Sequence, residues 1–201
     1  MTDQQNLGDD IAFMRGLAEA GREAPMLGGS ILVAAGLVFG TASFTVWALL
    51  RAGFYGWMHP IVWGAAGGVF VLCLFALPGT TKSGAGGSAQ AMGVAWSGVG
   101  WAIFAIVTSL MLFSARLGDW TVMSAMPSII LALYGSAWFV AACLRRAAWL
   151  HAVAFGSFAM ALVNGWYAAD GAVVYLIYGV SLLALLAAPG LVLMRQARAA
   201  A

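Results

Sequence analysis

Few side chains in this 201-residue sequence could do chemistry. There are two histidines, His59 and His151, two cysteines, Cys73 and Cys143, and seven acids. Five of the acids, Asp3, Asp9, Asp10, Glu19 and Glu23, crowd into the first 23 residues, leaving Asp119 and Asp170 for the rest of the chain. General acid–base catalysis needs an acid and a base within reach of one reacting atom, and a metal centre needs three or four ligands converging on a point. Neither cysteine has a histidine or a second cysteine beside it in sequence, so both read as small packing residues. Lys82 and Ser83 follow no GxxxxG, which rejects a phosphate-binding loop. These patterns predict a chain that is not an enzyme, with no catalytic residue, no metal site and no cofactor.

One spacing recurs. Trp57-Met58-His59-Pro60-Ile61-Val62-Trp63-Gly64 matches Trp149-Leu150-His151-Ala152-Val153-Ala154-Phe155-Gly156 in its tryptophan, histidine and glycine, with an aromatic residue before each glycine. Each segment also follows an arginine, Arg51 or Arg145. If each opens the second helix of a three-helix half, the halves run in opposite directions, as in the inverted repeats around which transporters build a pathway. That placement sets His59 and His151 a helix length apart, so they cannot share one haem or metal. Candidate pathway or ligand contacts are His59, His151, Asn164, Trp63 and Trp101. Asn164 is an amide inside a span, where a hydrogen bond to a neighbouring helix is its expected use. Trp63, Trp96, Trp101 and Trp138 fall deep in their spans, placed to fill a core or to line an apolar cavity.

The elements that must position these residues follow from composition. The chain is 63% hydrophobic and 8% charged, against about 25% charged for a soluble domain, whose surface must be wetted. The outside of this fold therefore faces lipid. A spanning helix needs about 20 apolar residues, and six such runs occur, over 29–50, 60–77, 91–113, 122–144, 148–168 and 172–194. The runs are continuous rather than alternating, which selects an all-α bundle over a barrel. Pro127 and Pro189 are expected to kink the fourth and sixth helices, freeing carbonyls that could line a cavity. Gly36-x-x-x-Gly40 and Gly64-x-x-x-Gly68 allow close helix approach within the chain or between copies. Trp47, Trp57, Trp120, Trp149 and Trp166 fall where an interfacial belt belongs. The stretch 78–91, PGTTKSGAGGSAQA, reads as a flexible loop.

Lysine and arginine collect on the cytoplasmic side of membranes. With the N-terminus inside, cytoplasmic segments hold Arg15, Arg22, Lys82, Arg145, Arg146, Arg195 and Arg198, and outside loops hold Arg51 and Arg116. The expected location is a bacterial inner membrane with both termini cytoplasmic. The opening DDIAFMRGLAEAGREAPMLGG resembles the start of small bacterial membrane proteins of unassigned function. Residues 1–25 form a cytoplasmic segment, 26–195 a six-helix transmembrane domain and 196–201 a tail. Over 9–23 the pattern is an amphipathic helix, with Ile11, Met14, Leu17 and Ala18 on one side. Its polar face is too acidic for anionic lipid, so it either packs under its own membrane domain or docks a protein partner. The lipid bilayer is an expected partner, a homo-oligomer is compatible with the glycine faces, and the net charge of +2 argues against nucleic acid. Without charge inside the spans, the expected function is a transporter or channel for a small neutral or apolar solute. The alternative is an accessory or regulatory membrane subunit docking through its N-terminal helix.

Overall fold

The computed structural model describes residues 29–77 and 87–199, which form helices joined by short connections, with no strand among the described residues. The helix expected over 9–23, the cations Arg15, Arg22 and Lys82, and residues 78–86 lie outside the described residues. Six helices are long and apolar enough to cross a membrane. They are α1 Gly29–Arg51, α2 Met58–Ala76, α3 Gly87–Leu117, α4 Thr121–Arg145, α5 Ala148–Trp166 and α6 Ala172–Ala199. The all-α, six-span architecture expected from composition is the one observed.

Three local features depart from the sequence reading. First, α3 begins at Gly87, inside the stretch expected to be loop. Past the glycine pair, Ser88, Ala89 and Gln90 carry no breaker and simply extend the helix backwards. Second, Pro127 does not kink α4. The helix opens with a 3₁₀ turn at Thr121–Ala125 and becomes α-helical at Met126, so Pro127 occupies its first α-helical turn, where a missing N–H costs nothing. Ahead of that turn, Asp119 Oδ1 accepts hydrogen bonds from the Thr121 backbone N–H at 2.8 Å and from the Thr121 hydroxyl.

The third departure concerns Pro189. It does interrupt its helix, because it has no N–H to give the carbonyl four residues back, that of Leu185. Helix α6 absorbs the interruption by widening into a π-helical turn at Leu183–Ala187, with the Ala188 N–H donating to the Leu183 carbonyl. The Leu185 carbonyl does not line a cavity: Trp138 of α4, fully buried, donates its indole N–H to it at 2.9 Å.

Lipid is as apolar as leucine, so helices in a membrane associate through close packing and a few hydrogen bonds. Helix α1 runs antiparallel along α6 on a seam of small residues. Gly29 faces Gly190, Gly36 faces Ala187, Gly40 faces Leu183, and the Ser43 hydroxyl donates to the Tyr175 carbonyl at 2.6 Å. A Cβ on Gly36 would stand 2.7 Å from the Ala187 backbone nitrogen. Gly36 and Gly40 thus serve packing within the chain, whereas a Cβ on Gly64 or Gly68 would meet nothing within 4 Å. Helices α4 and α5 form a tight hairpin, turned by Arg146 in the left-handed region at φ 51°. In it the Ser128 hydroxyl donates to the Ala161 carbonyl at 2.8 Å, and Phe158 lies over Gly135. Helix α6 joins the two pairs, while α2 leans on α1 and α3 on α4. Each of these outer helices is only 6% buried in its membrane-spanning window.

This threading sorts the charges. The start of α1, the α4–α5 turn and the end of α6 share one end, which holds Arg145, Arg146, Arg195 and Arg198. Arg51, Arg116, Asp119 and Asp170 share the other, together with Trp57 and Trp166, which are 85% and 83% exposed.

Two outcomes follow from this packing. Gly36→Val should lower stability by about 1–3 kcal/mol, because α1 must move off α6 to make room. Gly64→Val, with open space around it, should change thermal unfolding in detergent very little. A comparable loss from both would refute the seam. The Thr121 hydroxyl, and after it the Thr121 N–H, hold the Asp119 carboxyl below the usual carboxylate range. The stabilisation it lends is present above the unfolded value of about 3.9 and disappears as pH falls through the lower folded value. Asp119→Ala should therefore unfold earlier than the parent by a constant margin between pH 8 and 5, with the two melting curves converging in stronger acid.

Candidate functional site

On α2 the residues turned inward, His59, Trp63, Ala66 and Phe70, repeat at helical spacing. Phe70 meets Phe39 of α1 at a centroid distance of 5.3 Å, which fixes the inner end of α2. Toward its other end, Trp63 lies 6.4 Å from Tyr175 and 6.3 Å from Tyr178 of α6, and His59 lies 6.3 Å from Tyr175. Across the bundle, Trp96 of α3 stands edge-on to Trp138 at 5.0 Å and tilted against Tyr134 at 5.9 Å. Tyr134 of α4 and Tyr178 of α6 belong one to each group, on helices that touch. The two groups make a row of rings from α2 through α6 and α4 to α3, whose end helices α2 and α3 are not themselves closely packed.

The row has polar edges. His59 Nε2 and Trp96 Nε1 are buried and have no hydrogen-bond partner among the described residues. A buried polar atom left unpaired costs about 1–3 kcal/mol, and lipid offers nothing to repay it. A guest with an acceptor for the Trp96 N–H, or one with a polar group for His59, would satisfy one of them. The rings can stack an apolar or aromatic body in their offset and edge-on geometries. No Asp, Glu, Lys or Arg side chain belongs to the row.

The sequence-derived candidates are scattered by the fold. His59 and Trp63 come together in the row. Trp101 does not join it: it is 71% exposed, with Phe104 edge-on at 6.1 Å. Five positions beyond Trp96, it points well away from that residue on a helix of 3.6 residues per turn. Asn164 is fully buried in α5, but its amide N–H₂ donates to the Met160 carbonyl of its own helix at 2.9 Å. Its Oδ1 has no partner, so the bond to a neighbouring helix expected of it is not made among the described residues. His151 lies at the opposite end of the bundle from His59, as the sequence spacing required. There it sits 4.0 Å from Cys143 Sγ, a neighbour in space that is absent from the cysteine's sequence surroundings. The pair is eight residues apart and is closed by the α4–α5 hairpin, a juxtaposition that sequence adjacency could not reveal.

Sequence reasoning missed Tyr134, Tyr175 and Tyr178. The available signal was their spacing, Tyr134 to Trp138 and Tyr175 to Tyr178, which stacks each pair on one helix face. A separate outer groove of about 510 Å³ lies between α1 and α2, lined by residues that include Leu37, Thr41, Thr45, Val62 and Val69. The Thr45 hydroxyl is turned back onto the Thr41 carbonyl at 2.9 Å, so the groove suits an acyl chain of the surrounding lipid better than a polar guest. Groups of three or more His, Cys, Asp or Glu able to hold a metal ion are absent among the described residues. The chain matches no protein-family model, and no curated protein or solved structure is similar to it.

Proposed function

We propose that this membrane protein binds and transports a small neutral solute with an apolar or aromatic body, and that the ring row between α2 and α3 is its site. The carrying observation is that row itself: tilted and edge-on rings from four helices, with the unpaired His59 Nε2 and Trp96 Nε1 among them. The arginines of the described spans sit at or near helix ends, which fits an uncharged passenger. The packing also supports two inverted halves, since α1 carries α2 and α6 while α4 carries α5 and α3. The histidines are less alike than their sequence context, because His59 faces Tyr175 of α6 and His151 faces Phe139 of α4. Four arginines at one end, against two arginines and two aspartates at the other, favour a bacterial inner membrane with both termini in the cytoplasm.

A second reading, an accessory subunit, is favoured by one observation. Helices α2 and α3 are nearly unburied, and Gly64, Gly68, Gly93 and Gly100 offer room for another helix. Native mass spectrometry of the full chain beside a version lacking residues 1–24 separates the two. A second protein retained only by the full chain supports the subunit; a monomer or homo-oligomer from both supports autonomous transport.

Indole, neutral and aromatic with one N–H, is a direct probe of the row. Reconstituted protein should bind it, and Trp63→Ala or Trp96→Ala should weaken binding at least tenfold, while Trp101→Ala should leave it unchanged. Indole donates and has no lone-pair acceptor for the Trp96 N–H, so Trp96→Phe, which keeps a ring, should bind it nearly as well as the parent. Equal binding by the Trp63 and Trp101 variants would remove the row as the site.

A further inference from the structure

The α4–α5 hairpin brings together a nucleophile and a base that the transport reading does not use. Cys143 is an exposed free thiol, and His151 Nε2 stands 4.0 Å from its sulfur. The imidazole is held on its other sides. Its Nδ1 lies 3.4 Å from the Ala147 carbonyl, and Phe139 packs edge-on against it at 5.8 Å. A carbonyl only accepts, so Nδ1 carries the proton and Nε2 presents its lone pair to the thiol. Nucleophile, base and a third group that orients the base are the elements of an activated nucleophile.

From this geometry we propose that Cys143 is a modification site, a thiol activated by His151 toward uncharged conjugated alkenes arriving from the lipid. The approach is apolar: Phe139 precedes Cys143 by one turn and Phe155 follows His151 by one turn, their rings 6.1 Å apart and both exposed. In the reaction His151 Nε2 takes the thiol proton, and the sulfur adds to the β-carbon of the alkene. The π electrons move onto the carbon next to the carbonyl, and that carbon takes the proton back from the imidazolium. One C–S bond and one C–H bond form, one S–H bond and one π bond are lost, and no oxidant is required. Among the described residues, the charged groups at this end are Arg145 and Arg146 of the turn and Arg195 and Arg198 of α6, while Asp119 and Asp170 lie at the opposite end. The proton acceptor facing the thiol among the described residues is His151.

N-ethylmaleimide is an uncharged conjugated alkene and tests this on the full chain, with Cys73 of the same molecules as internal reference. At pH 7, Cys143 should react at least fivefold faster in the parent than in His151→Phe or His151→Gln, while Cys73 keeps its rate. The gap should close by about pH 9.5, where solvent ionises an ordinary thiol of pKa about 8.5 without help. Equal Cys143 rates at pH 7 would overturn the assignment. So would a gap that persists unchanged at high pH, which would mean that His151 controls access rather than the proton.

Discussion

The bundle depends on how one orphaned carbonyl is satisfied. Pro189 deprives Leu185 of its usual helical partner in a place where neither water nor lipid can substitute. The indole of Trp138 reaches across from α4 to supply the missing N–H at 2.9 Å. That bond fixes the rotation of α6 against α4 and the depth at which the two helices meet. The π-helical turn at Leu183–Ala187 is the local price of accommodating the ring without breaking the helix.

Much of the remaining structure inherits its position from this contact. With α6 placed, the small residues Gly29, Gly36 and Gly40 bring α1 against it, and α2 follows α1 through Phe39 and Phe70. On the opposite flank Trp138 and Trp96 meet nearly perpendicular, which positions α3. The two outer helices have no close backbone contact with each other; Trp63 of α2 meets Tyr178 and Trp96 of α3 meets Tyr134. The proposed site is thus held by a spine of packed helices and made of side-chain rings.

The spans were legible because lipid imposes one requirement, unbroken apolar length, that can be read residue by residue. The opposite placement of His59 and His151 was legible for the same reason, since helix direction alternates. Other features depend on rotation about each helix axis, which apolarity on every side conceals. Trp96 and Trp101 look alike in sequence, yet one is part of the row and the other is exposed. Gly36 and Gly64 begin the same motif, yet only Gly36 has a helix against it. Pro127 and Pro189 are the same residue with different consequences, decided by where the α-helical hydrogen bonding begins. The Cys143–His151 pair was hidden in another way, because it exists only once the turn at Arg146 folds α5 back on α4.

The most direct test of the central contact is a double-mutant cycle between Trp138 and Pro189, read as unfolding free energy in detergent. Trp138→Phe should cost about 1–2 kcal/mol in the parent, the range for losing one buried hydrogen bond. In a Pro189→Ala background the restored N–H can satisfy the Leu185 carbonyl, and the same substitution should cost clearly less, giving a coupling near 1 kcal/mol between two residues on different helices. Strict additivity, with Trp138→Phe equally damaging in both backgrounds, would contradict the account.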